Sequence, residues 1–282
     1  MIVPGNHDHV LAEPWLARLR LDGRTLDAGT QWPVEPGDGP AGRIAGWMPE
    51  AEVTLAYPGV RLRSDVYATH GHYLDLNLTV PRLESIGAAV MGRLMGSGRE
   101  CDTAADYERV LAPMYAFLAG VAQGASPAVL QRGGRASRSV WQRVNGDGGL
   151  SGLLLGRVTI PGAVAVLNRA GLGPFKPELS AEELRRSGLV AMGRVADALA
   201  PGAAHVVFGH THRQGPLPDD DPAEWTSPSG TRLWNTGNWF HEPAFVRTVD
   251  ERSPYAPGTV LWLDESGPPR LETVSRDAAH RA

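Results

Sequence analysis

Three pairs of histidines, each close after a short β-prone run, constrain this 282-residue chain more than any other feature. The pairs occupy positions 7 and 9, 70 and 72, and 210 and 212. In open α/β sheets, ligands gather at the carboxyl ends of the strands. Two imidazoles that are two residues apart on an extended loop also project to the same side. The pattern therefore predicts an α/β protein with a ligand site at its strand ends.

The composition decides which atoms such a site can use. Cys101 is the single cysteine, so a metal site would be built from His, Asp, Asn and Glu rather than from thiolates. One cysteine excludes an internal disulfide framework and suits a reducing compartment. No secretory signal is visible near Met1, and we expect a cytoplasmic protein. The net charge of −4 argues against a nucleic-acid partner.

The run Gly-His-Thr-His at residues 209–212 has the strongest ligand character. Its glycine permits a tight exit from the preceding strand, and His210 and His212 can address one metal-sized region. Alone, the run could equally be a pair of surface histidines. Its repetition at two other strand ends favours the ligand interpretation.

The run Gly-Asn-His-Asp at residues 5–8 offers a different set of groups. Asn6 provides an amide oxygen, and the Asp8 carboxylate can orient the ring of His7. A protonated His7 would suit donation of a proton to a leaving alkoxide. The plainer interpretation is a polar turn, for which these residue types are ordinary.

His70 directly follows a β-prone run, and Gly71 leaves room for a ligand or another loop. His72 could contact substrate or simply form a hydrogen bond nearby. His9 and His241 are interpreted as supporting or surface histidines rather than ligands.

The rest of the chain alternates β-prone runs with helical segments. Residues 1–4 have the character of a strand end, and residues 24–49, rich in Gly and Pro, predict an irregular loop. Further strands are predicted at residues 53–57, 60–62, 66–69, 205–208, 231–236, 244–249, 259–264 and 270–274. Helices are predicted at residues 13–21, 83–95, 104–123 and 180–199, with Thr103, Asp106 and Ser180 as capping residues.

In this order, the runs at residues 4–8, 69–72 and 209–212 resemble the third, fourth and fifth sequence blocks of calcineurin-like metallophosphoesterases. The Asn-Thr-Gly-Asn run at residues 235–238 resembles the turn that follows in bacterial members. The resemblance implies a metallophosphoesterase-type β-sandwich flanked by helices. We expect one domain over residues 1–282, with a helical insertion at about residues 81–177.

The same resemblance implies a centre of two divalent cations, which could be manganese, iron or zinc. By that analogy Asn6, His70 and His210 would bind one cation and His212 the other. His7 would stabilise the transferred phosphoryl group or protonate the leaving group, with Asp8 holding its ring, while a hydroxide activated by the two cations would attack phosphorus. The implied substrate is a small phosphate monoester, diester or pyrophosphate.

The first two blocks of that family, which supply its carboxylates, do not precede Asn6. We therefore expect that the natural protein is longer at its N-terminus, and that this chain binds at most one cation, weakly. Two dications held only by neutral Asn and His would repel each other. The alternative is a non-catalytic binding module or scaffold built on the same fold.

The insertion contains one basic stretch, formed by Arg132, Arg135, Arg138 and Arg143. These arginines could bind a phosphate-bearing ligand or give peripheral contact with an anionic lipid surface. The plainer interpretation is a solvated helix face or loop. The apolar residues 150–167 could likewise receive an acyl chain, although plain core is favoured.

Overall fold

The computed structural model describes residues 1–96, 98–124, 160–239 and 253–274, and in these ranges the chain is a mixed α/β protein. The helices are α1 (Glu13–Leu21), α2 (Gly39–Gly46), α3 (Leu83–Leu94), α4 (Ala104–Gly124), α5 (Ile160–Arg169) and α6 (Ala181–Leu199). The strands are β1 (Thr30–Pro33), β2 (Thr54–Tyr57), β3 (Gly59–Arg63), β4 (Val66–Thr69), β5 (His205–Phe208), β6 (Arg232–Asn235), β7 (Thr259–Trp262) and β8 (Arg270–Thr273).

The largest sheet has four strands in the order β3-β4-β5-β6. β3 and β4 are antiparallel, whereas β4, β5 and β6 run parallel to one another. The register places Ala68 opposite Val207, and Phe208 opposite Asn235. The continuous apolar run of β5 is typical of a parallel strand covered on both faces, and its last three residues are buried. The carboxyl ends of three neighbouring strands therefore meet at one edge.

Two smaller sheets are antiparallel pairs, β1 with β2 and β7 with β8. The N-terminal run joins the first of them. Ile2 forms a parallel bridge with Leu55, and its amide donates to the Thr54 carbonyl at 2.8 Å. The Ala56 amide donates back to the Ile2 carbonyl at 2.8 Å. The strand character predicted for residues 1–4 is therefore confirmed at Ile2.

The chain divides into two compact units. The first comprises residues 1–72, 102–106 and the chain from residue 192 onwards, and it contains all three sheets. The second comprises residues 73–101 and 107–191, and its described elements are helical. The prediction of one domain with an insertion at about residues 81–177 stays a prediction.

The helical unit is held by apolar and polar contacts of its own. Phe175 is buried with Ala89 and Val164. Tyr73 stacks on Tyr107 with ring centroids 5.0 Å apart, and its hydroxyl donates to Glu108 Oε2 at 2.9 Å. A buried carboxylate needs such donors, because unpaired burial of a charge is strongly unfavourable.

Most of the predicted elements are confirmed, including the helix caps. The Asp106 amide donates to Thr103 Oγ1 at 3.2 Å, and the Glu183 amide donates to Ser180 Oγ at 3.1 Å. The strand predicted at residues 244–249 and the four arginines of the insertion lie outside the described residues. Within the described ranges, no helix combines the length and the apolarity needed to cross a bilayer.

The prediction of an irregular loop over residues 24–49 is wrong, because this segment contains β1 and α2. β1 depends on a partner distant in sequence, with Trp32 opposite Leu55 of β2. α2 begins just after Asp38, whose carboxylate accepts the Glu35 amide at 2.9 Å. Proline in the first turn of α2 is compatible with a helix start, since its missing amide hydrogen would have no partner there.

The cap of α6, the helix that precedes β5, generates a stability prediction. Ser180→Ala removes the acceptor for the Glu183 amide, and the free energy of unfolding should fall by about 1 kcal/mol in urea denaturation. Ser64→Ala, in the exposed turn between β3 and β4, is the matched control and should change it by less than about 0.5 kcal/mol. Equal losses in the two variants would contradict the capping role.

Candidate metal centre

Parallel strands deliver two of the histidine runs to the same edge of the sheet. β4 ends at Thr69 and leads directly into His70, while β5 ends two residues before His210. The Gly209 amide donates to the His70 carbonyl at 3.1 Å, which continues the pairing of β4 and β5 beyond the strands. The two loops therefore leave the sheet side by side.

The rings that follow these strands are in contact. His70 and His210 meet edge to face, with ring centroids 5.1 Å apart. The His72 ring lies 5.3 Å from that of His70, but His72 is only 1% exposed and its Nε2 is 3.1 Å from the Tyr57 hydroxyl. His72 therefore fits the hydrogen-bonding interpretation rather than substrate contact.

Gly5 brings the N-terminal run against His70. A Cβ added at Gly5 would lie 2.5 Å from both Nε2 and Cδ2 of the His70 ring, closer than side-chain carbons come to other atoms. Glycine is needed here because its missing side chain permits this approach. The next residue, Asn6, is buried. The three sequence runs thus converge on His70.

The surroundings keep His70 neutral. Burial is the main cause that lowers the pKa of His70 from 6.5 to about 3. Further lowering comes from three nearby imidazoles, those of His210, His7 and His212. A neutral imidazole retains a nitrogen lone pair, which metal binding requires.

Asn6 Oδ1 and His70 Nδ1 are buried and make no hydrogen bond to a described residue. Most buried polar atoms are paired, and an unpaired one costs about 1–3 kcal/mol. An amide oxygen and an imidazole nitrogen are also ligands that divalent cations such as zinc, iron and manganese accept. The residues present therefore fit one such cation.

A second cation fits this residue set less well. Asn6, His70, His210 and His212 are all uncharged donors, and two dications at close range repel each other without an anion between them. In the part of the chain that the structure describes, no group of three or more His, Cys, Asp or Glu side chains could hold a metal ion. The two-cation centre implied by the resemblance stays a prediction.

The loop that carries His210 and His212 has an unusual backbone. Both residues adopt left-handed φ values, 61° and 62°, although each has a Cβ. Such conformations cost about 1–3 kcal/mol each and persist only where the surroundings enforce them. Backbone strain of this kind concentrates at binding and catalytic sites, which agrees with the position of this loop.

Two asparagines to which the sequence assigned no role form hydrogen bonds with this loop. The Asn235 side chain donates to the Gly209 carbonyl at 3.0 Å and to Thr211 Oγ1 at 2.8 Å. The Asn238 side chain donates to the His212 carbonyl at 3.1 Å. The sequence indicated a turn at residues 235–238, but a contact across 26 residues has no local signature.

The predicted catalytic pair is exposed. His7 and Asp8 both face solvent, and the Asp8 carbonyl accepts the Leu11 amide at 2.8 Å as the chain enters a 3₁₀ turn. The Asp8 carboxylate does not cap that turn, and its predicted role in holding His7 stays a prediction. His9 is 5% exposed and packs edge-on against Tyr57, whereas His241 lies outside the described residues.

Comparison with known proteins identifies no relative. No family model, curated protein or solved structure matches the chain. The chemistry of the site therefore carries the functional inference.

The contact between Gly5 and His70 can be tested by substitution. Gly5→Ala places a methyl group in the space of the ring, so the NMR signals of the His70 side chain should shift. Zinc affinity should fall about 10- to 100-fold, the usual cost of disturbing the orientation of a ligand. Gly29→Ala is the matched control, because its added methyl group would meet nothing within 4 Å. Unshifted His70 signals in Gly5→Ala would contradict the close approach.

The lowered pKa of His70 predicts a pH dependence of stability. Between its folded pKa of about 3 and its ordinary value of 6.5, the unfolded state binds one more proton, so stability falls as the pH decreases through this range. His70 should account for a loss of about 2 kcal/mol between about pH 7 and pH 5. Denaturant unfolding of the wild type and His70→Gln at both pH values measures this difference. The same pH dependence in both proteins would exclude a buried, neutral His70.

Proposed function

We propose that this chain is a metal-dependent phosphoesterase that hydrolyses a small phosphate ester. The observation that carries the proposal is that Asn6 Oδ1 and His70 Nδ1 are both buried without a hydrogen bond to a described residue, while the His70 ring contacts that of His210. The order of the runs around these residues resembles that of calcineurin-like metallophosphoesterases. We propose the corresponding fold, a β-sandwich flanked by helices, with the four-stranded sheet as one of its layers.

In this proposal Asn6, His70 and His210 hold a divalent cation of manganese, iron or zinc, and His212 borders a second position. When bound, the cation supplies a Lewis acid that withdraws charge from phosphoryl oxygens and lowers the pKa of water. The contribution of His70 is a neutral ring, kept so by burial. The contribution of the 209–212 loop is a fixed backbone that presents His210 and His212 from one strand end.

His7 is proposed as the proton donor to the leaving oxygen. Its exposure leaves the ring accessible to a substrate, and its contribution to the lowered pKa of His70 supports a position close to the proposed ligands. General acids of this kind contribute about 10²- to 10⁴-fold to a rate. Asp8 is proposed to orient the His7 ring when substrate is bound.

Monoester, diester and pyrophosphate substrates all suit this chemistry. The net charge of −4 favours a small-molecule substrate over nucleic acid. A peripheral contact with an anionic lipid surface, through the arginines between residues 132 and 143, is part of the proposal for a lipid-borne ester.

The test loads the purified chain with zinc or manganese by dialysis and measures metal content by elemental analysis. Hydrolysis of p-nitrophenyl phosphate and of bis-p-nitrophenyl phosphate is then followed. We expect about one cation per chain and slow hydrolysis that His210→Ala abolishes. His7→Ala should lower the rate about 100-fold or more while leaving the metal content unchanged, because a proton donor does not hold the cation.

His205→Ala is the matched control, since His205 begins the same strand whose other end leads to His210. It should retain both metal and activity. Metal binding that His210→Ala removes, without any hydrolysis, would replace the hydrolase proposal by the binding-module alternative, which the uncharged donor set favours. Absence of metal from the wild-type chain would contradict both.

A further inference from the structure

We propose that Asn235 is a positioning residue whose side chain holds the 209–212 loop in its left-handed conformation. The geometry of this contact comes from hydrogen bonds within the chain. Only the identity of what the loop binds rests on the proposed function. Asn235 is the last residue of β6 and is 1% exposed, so it contacts neither solvent nor substrate. An effect of Asn235 on the site therefore passes through its hydrogen-bonded neighbours, among them Gly209 and Thr211 of the loop.

Asn235 is attached to the loop before, within and after its histidines. The side-chain amide donates to the Gly209 carbonyl at 3.0 Å and to Thr211 Oγ1 at 2.8 Å. The main chain exchanges two hydrogen bonds with Gly215, at 2.8 and 3.0 Å. One residue of a parallel strand therefore fixes the chain on both sides of His210 and beyond His212.

Both polar atoms of the Asn235 side chain make hydrogen bonds. Its two donors serve the loop, and its Oδ1 accepts the Gly237 amide at 2.8 Å. Only one orientation of the amide satisfies all three contacts, because a flipped amide would place Oδ1 against the Gly209 carbonyl. An aspartate has the same shape but no donor for that carbonyl. Asn235→Asp therefore removes both amide donors at nearly constant volume and sets a carboxylate against the Gly209 carbonyl, which it repels.

The loop needs an external constraint of this kind. His210 and His212 have φ values of 61° and 62°, which residues with a Cβ rarely adopt. The hydrogen bond from Asn238 to the His212 carbonyl, at 3.1 Å, supports the far side of the loop. Asn235 supports Gly209 and Thr211, which flank His210. Loss of its side-chain amide should therefore change φ more at His210 than at His212.

The test compares Asn235→Asp with the wild-type chain by NMR. Three-bond amide–Hα couplings and backbone carbon shifts report φ at His210 and His212, and isothermal titration with zinc reports affinity. We expect both φ reporters to move towards ordinary negative values, and zinc affinity to fall about 10- to 100-fold. Asn168→Asp is the matched control, because Asn168 also bonds main-chain groups, those of Phe175, but lies in the helical unit. It should leave both readouts unchanged.

Thr211 supplies a second pair of variants in case Asn235→Asp does not fold. Thr211→Val removes the hydroxyl that accepts from Asn235, whereas Thr211→Ser keeps it. The valine variant should change the coupling and carbon shifts that report φ at His210. The serine variant should leave them at their wild-type values. Unchanged φ reporters in Asn235→Asp or in Thr211→Val would overturn the proposal, whether or not zinc binds. Changed reporters in a chain whose wild type binds no zinc would support the positioning role of Asn235 and reject the metal site.

Discussion

Parallel pairing of β4 with β5, and of β5 with β6, aligns three strand ends at one edge of a sheet. His70, the 209–212 loop and Asn235 each stand at one of these ends. Because the main-chain ladder continues from Gly209 to His70, a displacement of one strand would move two of the candidate ligands together. The N-terminal run reaches the same place by a different route, through a bridge to β2 and the contact of Gly5 with the His70 ring.

Several unfavourable features coincide at this edge. His70 is buried among other imidazoles, Asn6 Oδ1 makes no hydrogen bond to a described residue, and the backbone is left-handed at both His210 and His212. Each of these features opposes folding, and the apolar β5 strand and the asparagine contacts offset them. A cation would relieve two of them at once, since it would bind the Asn6 oxygen and the nitrogen lone pair of the neutral His70 ring. A ligand site therefore accounts for several of these unfavourable features together.

The sequence predicted the elements that depend on local pattern. The apolar run of β5, the capping serine of α6 and the histidines after β4 and β5 are all readable from short windows, and the structure contains them. β1 was missed because its stability comes from β2, more than twenty residues later. The roles of Gly5 and Asn235 were missed for the same reason. Gly5 lies against the His70 ring, and Asn235 bonds the Gly209 carbonyl. Both contacts join residues that are distant in the sequence, so no local pattern predicts them.

In the proposed centre, Asn6, His70 and His210 surround one cation position at the strand ends. Anomalous diffraction at the zinc absorption edge, from crystals of the chain soaked in zinc, would locate that cation. We expect one strong peak within ligand distance of Asn6 Oδ1 and of the His70 and His210 rings, with His210 and His212 still left-handed. Zinc bound elsewhere on the chain, with this position empty, would contradict it.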